Sequence, residues 1–501
     1  MSPVGRNIIA NVTGKGWAAL LSLAVIPLYA HFLGIEAFGL IGFFLSLTAI
    51  LSLLDLGLGT ALNRQFAQYS MQPDKAQEMR DLLRTLEIIY WLIGIAVGVT
   101  VAVLAPAIAA HWLRPQQLSA ETVARALAMM GVAIALQWPR ALYVGGLMGI
   151  QRQVALNALA SIMVTANNLA CVLIVWLVSP TIEAYLASFM AVSLADTLLT
   201  GLLLWRRLPQ APSRAAFKGH VLLSIWRFAA GMTGISIASV IFTQLDKVIL
   251  VKVLPLDAFG YYSLASRAAG GLSYFTSPIC SAFFPRLSQL ASSNKTHEIT
   301  RLYHLGCQLI SVLVIPLAIV VALFSHELLL VWTQDHAIAD NAHLVLSLLT
   351  VGTALNAIAS MPHVLQLAHG WTRLAFAYNF AAILALAPLI YFMSVEYGGV
   401  GAAMAWVILN ALYIGVVLTF MHKRLLRGEL WTWYLRDVGQ PLFAAAAVGA
   451  LFSFLMPAFD SAWLGASKLA LTGVAAFAAA IFAAPEIRPL ALRWITPALR
   501  P

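Results

Sequence analysis

Residues His31 to Phe43 read HFLGIEAFGLIGF, and a second copy of their core appears as LPLDAFGYY at Leu254 to Tyr262. Pairing Glu36 with Asp257 sets an offset of 221 residues, at which the AFG triplet of 37–39 coincides with that of 258–260. The same offset gives further matches without a gap: Arg80 with Arg301, Gly149 with Gly370, Arg152 with Arg373 and Arg206 with Arg427. The sequence therefore predicts a duplicated unit followed by a C-terminal tail.

The composition is that of a membrane protein. Of the 501 residues, 61% are hydrophobic and 10% are charged, with a mean hydropathy of +0.86, whereas soluble domains carry about 25% charged residues. Apolar runs of about 20 residues, the length that crosses roughly 30 Å of hydrocarbon as a helix, recur along the chain. The basic residues behind the net charge of +10 lie in short connections, so they indicate membrane topology rather than nucleic-acid binding.

The apolar runs predict fourteen transmembrane helices, at 7–32, 37–63, 85–111, 121–147, 154–178, 183–205, 224–252, 258–283, 302–324, 341–367, 372–394, 399–421, 438–457 and 463–484. The offset pairs spans 1–6 with spans 7–12, and because six is even, both copies have the same orientation. A parallel repeat of this kind places a shared site between its halves near the bilayer midplane. We therefore expect an all-α polytopic membrane protein with two six-helix bundles and two accessory C-terminal helices.

The predicted parts of the chain follow from these spans. They are an N-terminal lobe at 1–206, a cytoplasmic linker at 207–223, a C-terminal lobe at 224–422, and accessory helices with a cytoplasmic tail at 423–501. Arg114 is the only Lys or Arg in the connections from odd to even spans, whereas the other connections and the termini hold most of the basic residues. Because positive charge favours the cytoplasmic side, both termini are predicted to be cytoplasmic.

No pattern for catalysis or cofactor binding is present. The GxxxxGK[ST], HExxH and GxSxG patterns are absent, as is a GxGxxG after a strand, which argues against the usual ATPases, zinc proteases, hydrolases and dehydrogenases. A membrane-embedded glycosyltransferase or polymerase would need catalytic residues on large loops, and the longest outer connection, Ser325 to Asp340, has only sixteen residues. We therefore expect neither an enzyme nor a bound cofactor or metal.

Charged residues within spans are the remaining functional candidates, because charge in hydrocarbon is costly. Arg267 lies near the middle of span 8 and is the best candidate for binding an anion; the alternative is a buried structural partner of Asp246 or Asp55. Lys247 follows Asp246 directly, and adjacent side chains point about 100° apart on a helix. One of the two is expected to face a cavity while the other contacts a neighbouring helix, and a simple structural pair is the alternative.

Two further cations are candidate substrate-binding residues. Lys15 lies about two turns into span 1, where it could alternatively extend its ammonium group to the headgroups. Arg140 follows a Trp-Pro pair in span 4, where an anchor at the headgroups is again the alternative. Together with Arg267 and Lys247, these residues would hold a negatively charged substrate.

Three acids are candidates for ion coupling or charge balance. Asp55 lies in LLDLGLGTALNRQFA, whose glycines allow close approach of a helix or substrate. Asp196 and Asp246 lie in spans 6 and 7. For Asp55 and Asp196, a satisfied interhelical hydrogen bond is the alternative interpretation.

The charged candidates are not duplicated. At the 221-residue offset the counterparts are uncharged: Asp55 pairs with Thr276, Asp246 with Val25, Lys247 with Ile26 and Arg267 with Ser46. The apolar scaffold is repeated while the charges differ, which indicates a specialised cavity. Its cations slightly outnumber its acids, which favours a phosphate or diphosphate as part of the substrate.

Four stretches resemble a known family. They are NIIANVTGKGWAALLSLAVIPLYAHFLGIEAFG at 7–39, LLDLGLGTALNR at 53–64, QLDKVILVKVLPLDAFGYYSLASR at 244–267 and GGVGAAMAWVILN at 398–410. Their order and spacing resemble the polysaccharide transporter (O-antigen flippase) family, within the superfamily of multidrug, oligosaccharidyl-lipid and polysaccharide exporters. Fourteen spans favour this branch over the twelve-span multidrug exporters.

The resemblance implies a V-shaped pair of six-helix bundles with a cationic cavity lined largely by helices 1, 2, 7 and 8. It implies a substrate of undecaprenyl-diphosphate-linked oligosaccharide, an O-antigen, capsule or exopolysaccharide unit, moved across the bacterial inner membrane by alternating access. Proton or sodium coupling is compatible with the family. The resemblance also implies contact with membrane lipids and, as protein partners, a polysaccharide polymerase and a chain-length regulator.

Two alternatives remain at this point. A cation-coupled exporter of amphipathic drugs would have an acid-dominated cavity, which the mixed set of charges does not favour. A lipid II flippase would be expected to carry arginines in the outer half of its first helix, where this chain has SLAVIPLYAHF at 22–32. The absence of arginine in that stretch argues against lipid II as the substrate.

Overall fold

The computed structural model describes residues 3–219, 237, 240–241, 243–293, 295–456 and 462–495. These residues form helices joined by short connections, and no β-strand occurs in those ranges. The chain divides into two compact units, Met1–Gly260 and Tyr261–Pro501. The predicted all-helical fold is confirmed, and the boundaries of the lobes, linker and accessory region stay a prediction.

The helices of the first unit are α1 (Pro3–Ala24), α2 (Ile26–Leu33), α3 (Ile35–Leu51), a 3₁₀ turn (Ser52–Asp55), α4 (Leu58–Tyr69), α5 (Ala76–His111), α6 (Ala120–Gln137), α7 (Arg140–Gly149), α8 (Gln153–Leu177) and α9 (Ile182–Arg207). Residues 243–253 are also helical, and α10 (Leu256–Gly270) contains the boundary between the units. Ser119 and Thr181 cap α6 and α9, since each side chain accepts a hydrogen bond from the N–H group three residues later.

The helices of the second unit are α11 (Ser273–Ser292), α12 (Thr296–Leu323), α13 (Ser325–Thr333), α14 (His336–Ile358), α15 (Ser360–Ala368), α16 (Thr372–Leu412), α17 (Leu418–Leu425), α18 (Leu430–Leu455), α19 (Ala462–Ala483) and α20 (Arg488–Ile495). A π-helical turn joins α16 to α17, and another lies within α18 at Trp433–Gly439. Trp433 of α18 and Ala476 of α19 are buried in the same core as Tyr303 and Ile310 of α12. Both helices of the predicted accessory pair therefore pack into this unit.

Eleven helical stretches among the described residues are long and apolar enough to cross a membrane. They include every predicted span except the seventh and eighth. The eleventh and twelfth spans lie in one stretch, Phe380–Leu425, which Gly398 divides into two helices through its non-helical backbone angles, with φ of 60°. The predicted seventh span, 224–252, lies mostly outside the described residues. The chain is thus a multi-pass membrane protein, and the count of fourteen stays a prediction.

Several predicted spans are not continuous helices, and the prediction was wrong on this point. Span 1 breaks at Val25, just before the proline in the first turn of α2. Span 2 breaks where Leu56 and Gly57 both adopt left-handed backbone angles, with φ of 52° and 71°. Span 4 breaks at Pro139, whose missing N–H group interrupts the helical hydrogen bonds.

Other helix bounds also needed correction. The eighth span breaks before Ser273 and continues to Ser292, beyond its predicted end at 283. The connection predicted between Ser325 and Asp340 is mostly helical, because α13 occupies Ser325–Thr333 and α14 begins at His336. A helix of nine residues is too short to contain the long apolar run by which spans are recognised. The third span starts at Ala76 rather than 85, since its polar first turns precede the apolar run.

The two copies of the repeated motif meet within the first unit. Gly34, with φ of 81°, forms the turn between α2 and α3. A Cβ atom on Gly39 would lie 2.6 Å from the carbonyl oxygen of Leu256, and one on Gly260 would overlap the carbonyl oxygen of Ile35. Only glycine permits this close crossing of α3 and the start of α10. Glu36 of the same motif accepts hydrogen bonds from the backbone N–H groups of residues 116–118, at 2.5, 2.8 and 3.0 Å.

Candidate functional site

Asp55 lies at the break in the second span, at the end of the 3₁₀ turn. Tyr90 of α5 donates a hydrogen bond to its carboxylate. A Cβ on Gly59, one turn later, would lie 3.5 Å from both Asp55 Oδ1 and the Tyr90 hydroxyl. The carboxylate is therefore tied to a neighbouring helix at a point where the backbone is irregular.

Arg140 and Asp196 are brought together by the break at Pro139. Arg140 begins α7, and its Nε lies 2.5 Å from Oδ2 of Asp196 near the middle of α9. The hydroxyl of Thr200 donates to the other carboxylate oxygen at 3.1 Å. The two side chains are 33% and 17% exposed, so this is a half-buried ion pair between helices.

Asp246 and Lys247 contact each other although they are adjacent in sequence. The Lys247 ammonium group lies 3.3 Å from both carboxylate oxygens of Asp246 and donates to the carbonyl oxygen of Thr243 at 3.3 Å. Both side chains are half-buried. This local pairing reduces the net charge that either residue offers to a ligand.

Arg267 differs from the other predicted cations. It lies on α10 about 17 Å along the helix from Leu256, and it is half-buried. Neither a hydrogen bond nor an ion pair to Arg267 occurs among the described residues. Lys15 lies on α1, but its side chain falls outside the described residues. A half-buried guanidinium group without a carboxylate partner is suited to bind an oxyanion through paired N–H donors.

The candidates thus fall into separate groups. The first unit contains two ion pairs, Arg140–Asp196 and Asp246–Lys247. In the same unit Asp55 accepts a hydrogen bond from Tyr90. Arg267 belongs to the second unit. Asp246 and Lys247 form the local pair that was their alternative interpretation, and Arg140 forms an ion pair that was not predicted. The role of all these residues in transport stays a prediction. No group of three His, Cys, Asp or Glu side chains in the described part of the chain could hold a metal ion.

A buried acid that the sequence analysis missed is Glu87 of α5. Its carboxylate accepts hydrogen bonds from Tyr143 Oη at 2.6 Å, Trp205 Nε1 at 3.1 Å and Arg84 at 2.7 Å. It therefore ties α5 to α7 and α9. Glu87 lies within the third predicted span, close to its start, and was not among the charged candidates. Its counterpart at the 221-residue offset is Gln308, and that match was the available signal.

A second missed group lies where the segment after α9 meets α5. Asp81 is 1% exposed and forms an ion pair of 2.5 Å with Lys218. It also accepts a hydrogen bond from the N–H of Ala216 at 2.9 Å, and Thr85 accepts one from the N–H of Lys218 at 2.9 Å. Much of the predicted linker is therefore held along the first turns of α5.

The third missed group is in the second unit, on α12. His304 lies between the carboxylates of Asp437 and Glu429, and Gln308 donates to Asp437 at 2.8 Å. Asp437 and Glu429 both lie between the predicted spans 399–421 and 438–457, so neither was among the charged candidates within spans. Sequence alone gave no indication that α12 and α18 pack together.

Comparison with known proteins places the chain among membrane exporters. A family model described as "Polysaccharide biosynthesis protein" matches residues 4–291, and one described as MatE matches residues 228–392. A Shigella flexneri protein named "Putative O-antigen transporter" is 22% identical over 427 residues, which cover 83% of this chain and 98% of that protein.

Solved structures of membrane transporters share the fold, and two of them illustrate it. The lipid II flippase MurJ in an inward closed conformation gives a TM-score of 0.73 at 13% identity, covering 94% of this chain and 97% of MurJ. An inward-facing multidrug resistance MATE family transporter of the MOP superfamily gives a TM-score of 0.63 at 12% identity, covering 81% and 96%. At these identities the similarity establishes the fold and leaves the substrate open.

Proposed function

Since the chain belongs to the family of polysaccharide biosynthesis proteins, within the exporter superfamily that also contains MATE transporters, we propose that it is a flippase for lipid-linked oligosaccharides. It is a multi-pass membrane transporter rather than an enzyme. The proposed substrate is an O-antigen, capsule or exopolysaccharide unit attached to undecaprenyl diphosphate. The resemblance to an O-antigen transporter over nearly its full length supports this substrate class.

One observation supports binding of a diphosphate: Arg267 is a half-buried cation with no partner among the described residues. A diphosphate would satisfy its guanidinium group through two parallel hydrogen bonds. Lys247 and Arg140 already contact acids, so we assign the diphosphate chiefly to Arg267, with Lys247, Lys15 and Arg140 as secondary contacts. During alternating access, the sugar units would cross the membrane while this group remains bound.

Orientation, coupling and partners form part of the same proposal. The excess of Lys and Arg in the connections from even to odd spans supports an inner-membrane protein with both termini in the cytoplasm. Asp55, Asp246 and Asp196 are the proposed groups for proton or sodium coupling or for charge balance. A polysaccharide polymerase and a chain-length regulator are the proposed protein partners.

The alternatives have less support. A multidrug exporter agrees with the MATE-like fold, but that similarity carries no information on the substrate. Arg267, which has no ion-pair partner in the described part of the chain, favours an anion. The similarity to MurJ is likewise one of fold. The first helix of this chain lacks arginine in its outer half. As a substrate, lipid II therefore has less support than an O-antigen, capsule or exopolysaccharide unit.

The test is Arg267→Gln in cells that lack their own copy of the protein. Hydrogen bonds to charged groups contribute about 1.5–3 kcal/mol, so we expect glycan export to fall about ten- to one-hundred-fold at equal protein level. Export is measured as surface glycan, together with accumulation of lipid-linked oligosaccharide inside the cell.

The matched control is Arg286→Gln, which removes an exposed arginine from the next helix. Export by this variant should match that of the unaltered protein. Normal export by Arg267→Gln would remove Arg267 from the mechanism. Resistance to amphipathic drugs without any effect on glycan would support the multidrug alternative.

A further inference from the structure

A buried cluster of titratable side chains in the second unit uses none of the residues assigned to transport above. His304 of α12 contacts two carboxylates through its two ring nitrogens. Nδ1 contacts Oδ2 of Asp437 at hydrogen-bond distance, and Nε2 lies 3.2 Å from Oε2 of Glu429. The two acids therefore lie on opposite sides of one imidazole ring.

The number of protons in this cluster follows from the chemistry of imidazole. A neutral ring has one N–H donor and one bare nitrogen, which can only accept. If both acids were ionised, the bare nitrogen would face a carboxylate oxygen, and two lone pairs would repel each other. Both contacts are hydrogen bonds only when the cluster holds one additional proton, on the ring or on a carboxyl group. We propose that His304, Asp437 and Glu429 form a proton-binding site.

The burial of the three side chains supports a bound proton. Asp437 is fully buried, His304 is 10% exposed and Glu429 is 32% exposed. A buried carboxylate beside a neutral imidazole would lack a cationic partner, which is costly in a low-dielectric interior. Exposure increases from Asp437 through His304 to Glu429, so Glu429 connects the site with solvent.

The other titratable and charged groups around His304 are occupied elsewhere. His422 of α17 lies 3.0 Å from the hydroxyl of Tyr303, and its Nδ1 lies 2.8 Å from the carbonyl oxygen of Leu418. Arg436, next to Asp437, pairs with Glu486 at 3.3 Å. Cys307 lies one turn further along α12 and is buried. None of these groups replaces His304 between the two acids.

The site fastens two parts of the second unit together. His304 belongs to α12, Glu429 to the segment before α18, and Asp437 to the π-helical turn within α18. Gln308 extends the connection, because it donates to Asp437 at 2.8 Å and accepts from the N–H of Glu486, after α19, at 2.7 Å. Binding of the proton therefore strengthens the attachment of α18 to α12. The acids do not converge on one point, so the arrangement is unsuited to a metal ion.

The experiment compares the unaltered full-length protein with Glu429→Gln. A glutamine amide can donate to the bare nitrogen of a neutral imidazole, so this variant keeps both contacts without the additional proton. We expect hydrogen exchange of the backbone amides of 426–440, corrected for intrinsic rates, to accelerate about ten-fold between about pH 6 and about pH 9 in the unaltered protein. In Glu429→Gln this additional acceleration should be absent.

The direction of the pH dependence follows from proton linkage. Protection against exchange that depends on a bound proton is present at low pH and is lost as pH rises. His304→Gln should show weakened protection at every pH, and His422→Gln, a neighbouring buried histidine without a carboxylate contact, should retain the pH dependence of the unaltered protein. Equal pH dependence in the unaltered protein and Glu429→Gln would overturn the proposal. This comparison remains decisive even if His304→Gln fails to fold, and it does not depend on the transported substrate.

Discussion

Two arginines within predicted spans have opposite electrostatic surroundings. Arg140 forms an ion pair with Asp196, whereas Arg267 has no such partner among the described residues. The sequence presents both as single cations in apolar runs and cannot separate them, because Asp196 lies on a helix distant in sequence from Arg140. Ion pairs between helices therefore decide which charged side chain is available to a ligand, and the sequence does not show them.

The Arg140–Asp196 pair gives the first prediction at this scale. We expect Arg140→Gln and Asp196→Asn each to lower stability by about 1–3 kcal/mol, since each leaves a half-buried charge without its partner. The double variant should lose less than the sum, with a coupling of about 0.5–3 kcal/mol. Thermal unfolding of the purified protein measures all three.

A matched pair on the surface provides the control. Arg125 and Glu183 also join two helices, at 3.6 Å, but Arg125 is 60% exposed. Exposed pairs contribute about 0–1 kcal/mol, so Arg125→Gln should have little effect. Strictly additive losses for Arg140→Gln and Asp196→Asn would show that the two charges do not depend on each other.

At the scale of elements, the segment after α9 is part of the first unit rather than a free connection. Asp81 holds it through Lys218 and the N–H of Ala216. We expect Asp81→Asn to increase hydrogen exchange of residues 213–218 by about ten-fold, because a neutral amide accepts these bonds more weakly than a carboxylate.

Mass spectrometry of peptides from this segment measures the effect. Asp74→Asn, which changes an exposed acid shortly before α5, should leave the exchange unchanged. Unchanged exchange in Asp81→Asn would mean that packing alone holds the segment.

The predictable elements are those that neighbouring residues in the sequence determine. Long apolar runs determine most spans, and Pro27, Pro139 and Gly57 stand at their breaks. Helix α13 was missed because nine residues at a span end carry no long apolar signal. The clusters around Glu87, Asp81 and His304 were missed because their partners are distant in sequence.

At the scale of the whole molecule, the 221-residue offset predicts a duplication, and the apolar runs predict an all-helical membrane fold. The family match and the MurJ-like fold agree with the all-helical membrane fold, while the duplication stays a prediction. The offset does not predict specialisation. Glu87 and Gln308 are equivalent and both buried, yet Glu87 joins α7 and α9 whereas Gln308 contacts α18 and the segment after α19.

The crossing of the two motif copies gives a prediction at this scale. Gly39→Ala and Gly260→Ala should each destabilise the protein by about 1–3 kcal/mol, because the added methyl group forces two backbones apart. The double variant should lose less than the sum, since the first substitution already separates the helices. Thermal unfolding measures the losses.

Gly473→Ala is the control, because a Cβ there meets nothing within 4 Å. It should be neutral or slightly stabilising, as alanine is a better helix former than glycine. If the stability losses of Gly39→Ala and Gly260→Ala were fully additive, the two glycines would belong to separate contacts.

The same crossing is reciprocal between the two copies of the motif. Gly39 faces Leu256 while Gly260 faces Ile35, and the 221-residue offset turns either contact into the other. Such reciprocity is the mark of an isologous interface, in which residue i of one subunit meets residue j of its twin and j meets i. The two copies of the motif thus contact each other through the same pair of positions, as the two subunits of a two-fold symmetric dimer do. Each glycine serves as the other's symmetry mate.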